Sequence, residues 1–306
     1  MHGSQLTNPT PANVPNSFRT AVFGDWGTGL YGAPVLARTI AADKRNFQIL
    51  LHLGDTYYSG DNDEIRERLL TVWPNVPGAV NRTLNGSHEM YTGGHGYFDL
   101  ALRQFGQHSS CFAFQNDHWI LAGLDTAYVD HDLYGEQVAW LESLLAQSDD
   151  RRLILFSHHQ PYSLLDVQGP KLVAKLAPYL ENKRIFAWYW VHEHHCVLYD
   201  EYPTWGVRGR CIGHGGFPYS REAGFGNAPV KPLWVRLATK NLMPGGEILD
   251  CRNPCIQGHE DEYGPHGFAV LEFDGPHLAE SMVDPEGDPV RSQDLLRDRG
   301  MARVHL

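Results

Sequence analysis

Apolar runs that end in polar turns recur along the first two thirds of the chain. Residues 18–23 and 47–53 are short apolar runs typical of buried strands, and apolar positions recur with helical spacing over residues 34–44 between them. This order predicts a β-α-β unit with two parallel strands. Because parallel strands of one sheet end at the same edge, we expect Asp25 and Asp55, which follow these strands, to lie close together.

The same pattern extends through most of the remaining sequence. It predicts further helices over residues 62–72, 135–147 and 170–180, and further strands over residues 111–114, 119–124, 152–156, 184–191, 210–216, 233–237, 267–273 and 278–283. Strands that alternate with helices early and pair with each other late predict an α/β (α+β) fold, a four-layer sandwich of two mixed β-sheets flanked by helices. We expect a single domain over residues 18–285, a flexible N-terminal segment over residues 1–17 and a C-terminal tail over residues 286–306.

Composition and charge exclude several classes of partner. The 306 residues are 42% hydrophobic, which is enough for one large core, and the net charge of −11 provides no basic surface for nucleic acid or for an anionic membrane. No apolar run approaches the roughly 20 residues of a membrane span, and residues 1–16 lack the apolar centre of a signal peptide. We therefore expect a cytoplasmic protein without nucleic acid or membrane as a partner, and leave its oligomeric state open.

The five cysteines do not form a recognisable framework. Their number is odd and none are paired with C-x-x-C spacing, so we predict mostly buried thiols. Cys251 and Cys255 flank a short turn that contains Pro254, and a disulfide or a metal role there is the less favoured alternative.

The loop at residues 54–60 carries the first candidate chemistry. Asp55 follows the strand predicted at residues 47–53, and Tyr58 comes three residues later. A carboxylate has two oxygens and can bridge two cations, and a phenolate is a hard anionic ligand that favours Fe(III). We interpret Asp55 and Tyr58 as metal ligands, with an ordinary polar turn as the alternative.

Histidine is the unusual residue in the composition, since seventeen are present and many of them come just after predicted strands. Metal ligands and proton-transfer groups are often placed there. His192 and His194 follow the strand at residues 184–191, and as alternate residues of an extended segment they are predicted to share one face. His88 lies in a turn beside a carboxylate, with a surface histidine of a hairpin as the alternative, and at least one of His158 and His159 is expected to be functional. The candidate substrate contacts are His95, His159, His195 and His214, with a solvated loop residue as the alternative for His95 and a structural role as the alternative for His195.

Five blocks of sequence resemble one known superfamily. They are Gly24-Asp25-Trp26-Gly27, Gly54-Asp55 with Tyr58, Gly86-Ser87-His88-Glu89, Ser157-His158-His159 and His192-Glu193-His194. In this order they resemble the calcineurin-like metallophosphoesterases, within the purple acid phosphatase-like branch of bacterial type. The resemblance spans residues 18–200, and Gly213-His214-Gly215-Gly216 extends it to most of the chain.

The resemblance implies the metallophosphoesterase fold and hydrolysis of small phosphate monoesters or diesters at a binuclear metal centre. One metal, Fe(III), would be bound by Asp25, Asp55, Tyr58 and His194. The second, Fe(II), Zn or Mn, would be bound by Asp55, Ser87, His158 and His192. A hydroxide held by the metals would be the nucleophile and His88 the general acid.

Two positions depart from the family pattern. Asparagine is usual at position 87, whereas Ser87 offers a shorter, neutral hydroxyl that is a poor ligand for divalent cations. Glycine is usual at position 191, and the β-branched Val191 would be strained at positive φ. Two alternatives follow: an iron-dependent oxidation or elimination on the same scaffold, and a catalytically impaired relative that binds phosphate or a partner.

Overall fold

The computed structural model describes residues 8–128, 131–166, 169–222, 229–230, 233–239 and 243–296. Within them, fifteen strands form two mixed sheets: β1 (Ala12–Asn13), β2 (Ser17–Phe23), β3 (Ile49–His52), β4 (Val80–Thr83), β5 (Phe112–Gln115), β6 (Trp119–Leu124), β7 (Arg152–Ser157), β8 (Ile185–Trp190), β9 (Cys196–Glu201), β10 (Arg208–Ile212), β11 (Trp234–Leu237), β12 (Gly246–Leu249), β13 (Phe268–Asp274), β14 (His277–Val283) and β15 (Pro289–Leu296). The α-helices are α1 (Ala33–Ala42), α2 (Asn62–Glu64), α3 (Ser87–Met90), α4 (Leu102–Gln104), α5 (Gln137–Ala146) and α6 (Pro170–Glu181), and the segments Ile65–Leu70 and Tyr97–Ala101 are π-helical.

The strand order groups parallel strands next to one another in both sheets. The first sheet runs β1-β5-β6-β7-β8-β10-β9-β12-β11, and the second runs β15-β14-β13-β2-β3-β4. Strands β6, β7, β8 and β10 are parallel neighbours in the first sheet, and β2, β3 and β4 are parallel neighbours in the second. Each sheet therefore presents the carboxyl ends of several strands at one edge, where functional groups of such sheets are usually found.

The apolar residues divide into three clusters that define four layers. The central cluster contains side chains from both sheets, such as Leu51 of β3 and Phe156 of β7. A second cluster packs α5 and α6 on the outer face of the first sheet, and a third packs α1 and the two π-helical segments on the second sheet. The predicted four-layer sandwich is confirmed. Among the described residues, no helix is both long and apolar enough to cross a membrane.

The strands and helices predicted from periodicity are present with shifts of a few residues at their ends. The prediction missed five strands, namely β1, β4, β9, β12 and β15. Strand β4 is half-exposed and lacks an apolar run, and its residues pair with β3 all the same. A strand at the edge of a sheet needs no fully apolar sequence, because one of its long sides faces solvent.

Two of these strands lie outside the limits of 18–285 expected for the domain. Strand β1 pairs with β5, and β15 pairs with β14, so both contribute to the sheets. Residues 1–7 and 297–306 lie outside the described part of the chain. All five cysteines are free thiols, which corrects the disulfide considered for Cys251 and Cys255.

Candidate metal centre

The predicted ligands converge where the carboxyl ends of the two sheets meet. Asp25 and Asp55 follow the parallel strands β2 and β3, and the Asp25 amide donates to the Gly54 carbonyl at 2.9 Å. His158 and His192 follow the parallel strands β7 and β8 of the other sheet. The expected proximity of Asp25 and Asp55 is thus confirmed, and histidines from the opposite sheet complete the cluster.

Asp25 and Asp55 lie at the centre and are completely or almost completely buried. Both have positive φ, 51° and 69°, an unusual conformation for aspartate that turns each carboxylate inward. The Asp25 carboxylate accepts the His192 amide at 2.6 Å, and the Asp55 carboxylate accepts the His88 amide at 3.1 Å. A side chain at Gly86 would collide with the Asp55 carboxylate, so the glycine is needed for this close approach.

His158 is oriented by the backbone and faces both carboxylate and histidine neighbours. Its Nδ1 donates to the Leu53 carbonyl at 2.9 Å, which leaves Nε2 pointing into the centre. There Nε2 lies 3.4 Å from the Asp55 carboxylate and 3.3 Å from Nδ1 of His192. Burial alone would lower the pKa of His158, but the charge and hydrogen bond of the Asp55 carboxylate, together with the charges of Asp25 and Glu89, raise the pKa to about 9.

The segment from Val191 to His195 is a tight turn, which corrects the extended conformation expected from the sequence. The Glu193 amide donates to the Val191 carbonyl at 2.9 Å, so His192 is the central residue of a γ-turn, with φ of 72°. A γ-turn with positive φ is a strained conformation. The residue with positive φ is His192 and not Val191, so the β-branched side chain of Val191 causes no backbone strain. The Val191 methyl groups pack against Gly24, where any side chain would collide with them.

His192 and His194 both reach the centre, on different sides of it. The His192 ring lies beside His158, with ring centres 5.1 Å apart. His194 also has positive φ, 57°, and its Nε2 lies 2.5 Å from the Tyr57 hydroxyl. Burial lowers the pKa of His192 to about 4 and that of His194 to about 3. Both rings are therefore neutral at neutral pH, which is the form that binds metals.

Tyr57 and not Tyr58 faces the centre, which corrects the residue chosen from the sequence. The Tyr57 side chain is buried, and its hydroxyl lies 3.3 Å from the Asp55 carboxylate as well as beside His194. The Tyr58 side chain is 62% exposed. The reason lies in the backbone, because the Glu64 carboxylate accepts the amides of Tyr58 and Ser59 at 2.7 and 2.8 Å and holds this part of the loop against α2 at the surface.

The Ser87 hydroxyl contacts His159. It lies 2.8 Å from Nε2 of His159, the second histidine of the pair after β7. The His159 ring is buried, and its centre is 4.6 Å from that of His192. His159 therefore lies inside the cluster of candidate ligands, whereas the role considered from the sequence is that of a substrate contact.

His88 lies on the solvent side of the centre. Its Nδ1 donates to the Tyr58 carbonyl at 2.6 Å, and its ring packs on Tyr57 with centres 3.7 Å apart. Nε2 is 3.9 Å from the Asp55 carboxylate, and the side chain is 19% exposed. The ring is thus held with one nitrogen towards the carboxylates and within reach of a ligand entering from solvent.

The structure does not bring His95 or His214 to the open side of the centre. His95 is exposed and pairs with Asp99 at 3.5 Å. His214 is buried against Gly267, whose amide donates to the His214 carbonyl. His195 follows His194 directly, but its ring contacts a different loop. It meets the Tyr219 ring edge-on, with ring centres 4.0 Å apart.

Two buried glutamates that the sequence did not single out support the ligand loops. Glu89 accepts the amides of Asp55, Thr56 and Gly86 at 3.2, 2.7 and 2.9 Å. Glu89 lies three residues after Gly86, the N-cap of α3, and bonds back to its amide as the Glu of a capping box does, although Gly86 has no side chain to complete the motif. Burial, and next the Asp55 charge, raises the pKa of Glu89 to about 7.

Glu193 supports the turn between the two histidine ligands. It accepts the Trp190 indole N–H at 2.8 Å and the Ser163 hydroxyl, so the residue between His192 and His194 is fixed on the side away from the centre. Burial raises its pKa to about 7. This contact could not be predicted from local sequence, since Ser163 and Glu193 are 30 positions apart.

The donor set fits one or more metal cations. Among the described residues, two groups of three have ligand atoms within 4.8 Å of one another: Asp25, Asp55 and His158, and His158, His159 and His192. Oδ1 of the buried Asp25 has no hydrogen-bond partner within the described chain, and burial followed by the Asp55 charge raises its pKa well above the ordinary value. A cation would relieve this cost of burial, and mixed carboxylate and imidazole ligands suit Zn, Fe and Mn.

Comparisons with known proteins agree with the geometry. A sequence model of the calcineurin-like phosphoesterase family matches residues 18–196, which include the three parallel strands of the second sheet and every candidate ligand of the cluster. The resemblance of the five sequence blocks to the calcineurin-like metallophosphoesterases is thus confirmed. A search of curated protein sequences finds no match.

Solved structures share the fold at low sequence identity. A purple acid phosphatase from yellow lupin seeds is 14% identical with a TM-score of 0.61, and the match covers 94% of this chain but only 55% of the lupin chain. GAP50, described as the anchor in the inner membrane complex of Plasmodium, is 13% identical with a TM-score of 0.63, covering 91% and 88%. A dimetal phosphatase from Danio rerio is 12% identical with a TM-score of 0.53, covering 91% and 98%.

Proposed function

Because the chain belongs to the calcineurin-like phosphoesterase family, we propose that it hydrolyses small phosphate esters at a binuclear metal centre between its two sheets. The observation that carries the proposal is the pair of overlapping ligand groups, which share His158 and include the buried, incompletely hydrogen-bonded Asp25. Charged groups are buried without partners only at considerable cost, and a metal site accounts for that cost.

The contacts suggest how the ligands divide between two metal positions. The first would use Asp25, Asp55, His194 and the Tyr57 hydroxyl, and the second would use Asp55, His158 and His192. Asp55 is the shared ligand, since its Oδ2 lies 3.3 Å from the Tyr57 hydroxyl and 3.4 Å from Nε2 of His158. With a tyrosine in the first set, Fe(III) is the metal we propose there, and Fe(II), Zn or Mn is proposed at the second position.

Metals bound here would polarise the phosphoryl oxygens and supply an activated water at neutral pH. The chain itself would position the ester and protonate the leaving group. His88 is placed for the second task, because Nδ1 is committed to the Tyr58 carbonyl and Nε2 faces the centre from its solvent side. A proton carried on Nε2 can then be donated to a leaving oxygen in general acid catalysis. None of this requires a covalent serine or cysteine.

Metal analysis combined with phosphate release tests the proposal. We expect protein purified without chelators to contain close to two metal ions per chain and to hydrolyse an aryl phosphate or its diester. Dialysis against a chelator should abolish hydrolysis, and reloading with Fe, Zn or Mn should restore it. His88→Gln should keep the metals and lower kcat by about 100-fold or more, because it removes only the general acid.

The alternative outcomes separate the competing functions. Absence of metal, together with no hydrolysis after loading, would contradict the proposal. Two bound metals with no turnover of any ester, and phosphate binding that survives His88→Gln, would indicate a binding protein on this scaffold. Oxygen consumption without phosphate release would indicate iron-dependent redox chemistry.

A further inference from the structure

The histidine pair after β7 places one more imidazole at the second metal position than the family resemblance implies. The ligand nitrogens of His158, His159 and His192 all lie within 4.8 Å of one another, close enough to coordinate a common ion. His159 is 1% exposed, so its ring is inside the cluster and not at its entrance.

Position 87 explains why an extra ligand is needed. The sequence has serine where the resemblance implies an asparagine ligand, and a neutral hydroxyl is a weak ligand for a divalent cation. The Ser87 hydroxyl lies 2.8 Å from Nε2 of His159. Nε2 of His159 is thus the ring nitrogen next to the side chain at position 87.

The surroundings of His159 orient its ring as a metal ligand requires. Nδ1 lies 3.0 Å from the Thr126 hydroxyl, which also accepts the His159 amide at 3.1 Å. A ligating histidine usually donates its other ring N–H to an oxygen, which fixes the tautomer and the ring orientation. The His131 ring stacks on His159 with centres 3.7 Å apart and an angle of 15° between the planes, and this contact holds the ring plane.

We propose that His159 binds the second metal through Nε2 and replaces the ligand that serine at position 87 does not supply. The inference rests on the proposed binuclear centre and specifies one of its positions. The second site then has three imidazole ligands and the Asp55 carboxylate. It has one more nitrogen ligand than a site in which an asparagine oxygen takes the place of His159. Because imidazole suits Zn and Fe whereas oxygen ligands suit Mn and Mg, the second position should prefer Zn²⁺ to Mn²⁺.

Binding of Zn²⁺ to the chelator-treated full chain tests this, with stoichiometry from elemental analysis after equilibrium dialysis and affinity from calorimetry. Wild type should bind two ions. His159→Ala should bind one ion with unchanged affinity and the second at least 100-fold more weakly. His95→Ala is the matched control, since His95 is exposed and paired with Asp99, and it should behave as wild type.

Two further variants separate ligation from a structural role. Thr126→Val removes the oxygen next to Nδ1 while keeping the side-chain shape, and it should weaken the second site by roughly 10- to 100-fold. Ser87→Asn combined with His159→Ala supplies an amide oxygen in place of the lost nitrogen. The double variant should regain part of the second-site affinity and shift its preference from Zn²⁺ towards Mn²⁺.

The possible failures are distinct. If wild type binds two ions and His159→Ala binds both with wild-type affinity, the assignment of His159 is wrong and the proposed function stands. If wild type binds fewer than two ions, the binuclear centre itself is wrong. If His159→Ala fails to fold, His159→Gln takes its place, because it keeps a polar side chain beside Ser87 and Thr126, and unchanged second-site affinity in that variant would overturn the assignment.

Discussion

Single side chains decide the chemistry of the centre, and Tyr57 and Tyr58 show where sequence reasoning stops at this scale. The pattern of an apolar strand followed by Gly54-Asp55 correctly placed the loop and Asp55. Which of two adjacent tyrosines faces inward depends on the backbone after Thr56, and that is held by the Glu64 carboxylate and by Arg68, which donates to the Tyr57 carbonyl at 2.5 Å. Contacts of this kind join separate elements and have no signature in local periodicity.

The two tyrosines give a residue-level prediction. Loaded with Fe(III), wild type should show a visible absorption band from a tyrosinate ligand, and Tyr57→Phe should lose it, because the Tyr57 hydroxyl lies beside His194 and Asp55. Tyr58→Phe is the matched control and should keep the band, since that side chain is exposed. Visible spectra with iron quantitation measure the difference, and loss of the band in Tyr58→Phe alone would contradict the assignment.

At the scale of elements, strand ends were easier to predict than the conformation of the turns that follow them. The apolar runs of β2, β3, β7 and β8 correctly located the turns that carry ligands. The turn at His192 could not be inferred from its sequence, because its positive φ is maintained by the Asp25 carboxylate, which accepts the His192 amide from another sheet. A tertiary contact thus overrides the local preference for an extended chain.

Glu89 gives a prediction for the loop and helix it joins. Glu89→Gln keeps the size of the side chain but leaves one oxygen to accept the amides of Asp55, Thr56 and Gly86. We expect the free energy of unfolding of the metal-free protein to fall by about 2 kcal/mol, the range for hydrogen bonds to charged groups. Urea denaturation with a chelator present measures it. The exposed Glu67 is the control, and Glu67→Gln should change the free energy of unfolding by less than about 0.5 kcal/mol. Equal effects of the two variants would show that the hydrogen bonds of Glu89 to the three amides do not stabilise the loop and helix.

At the scale of the whole molecule, a buried ion pair connects the two sheets. Arg210 of β10 and Glu280 of β14 lie 2.6 Å apart with side chains 4% and 1% exposed. The Tyr189 hydroxyl of β8 also donates to Glu280, at 2.6 Å. Because the candidate metal ligands come from both sheets, a contact that fixes the sheets against each other also fixes the ligands. The sequence showed that both strands existed but not that they faced each other, since the two residues are 70 positions apart.

The ion pair gives a prediction at this scale. Arg210→Met leaves a buried carboxylate unpaired and should lower the free energy of unfolding by about 3–5 kcal/mol, whereas Arg210→Met with Glu280→Leu should lower it much less. Denaturant titrations of the two variants and of Glu280→Leu form a double-mutant cycle. Strictly additive effects in the cycle would show that the pair does not couple the sheets.

The pairing of β2 with β13 has a consequence for how the protein is made. Val22, just before Asp25, lies opposite Ala269, so the strand that presents the first ligand acquires this neighbour only after nearly all the described chain has left the ribosome. Pairings so distant in sequence form late. The nascent chain would therefore carry aspartates and histidines that are not yet assembled into a site. Selection of the correct metal would then take place after translation, once the protein has folded.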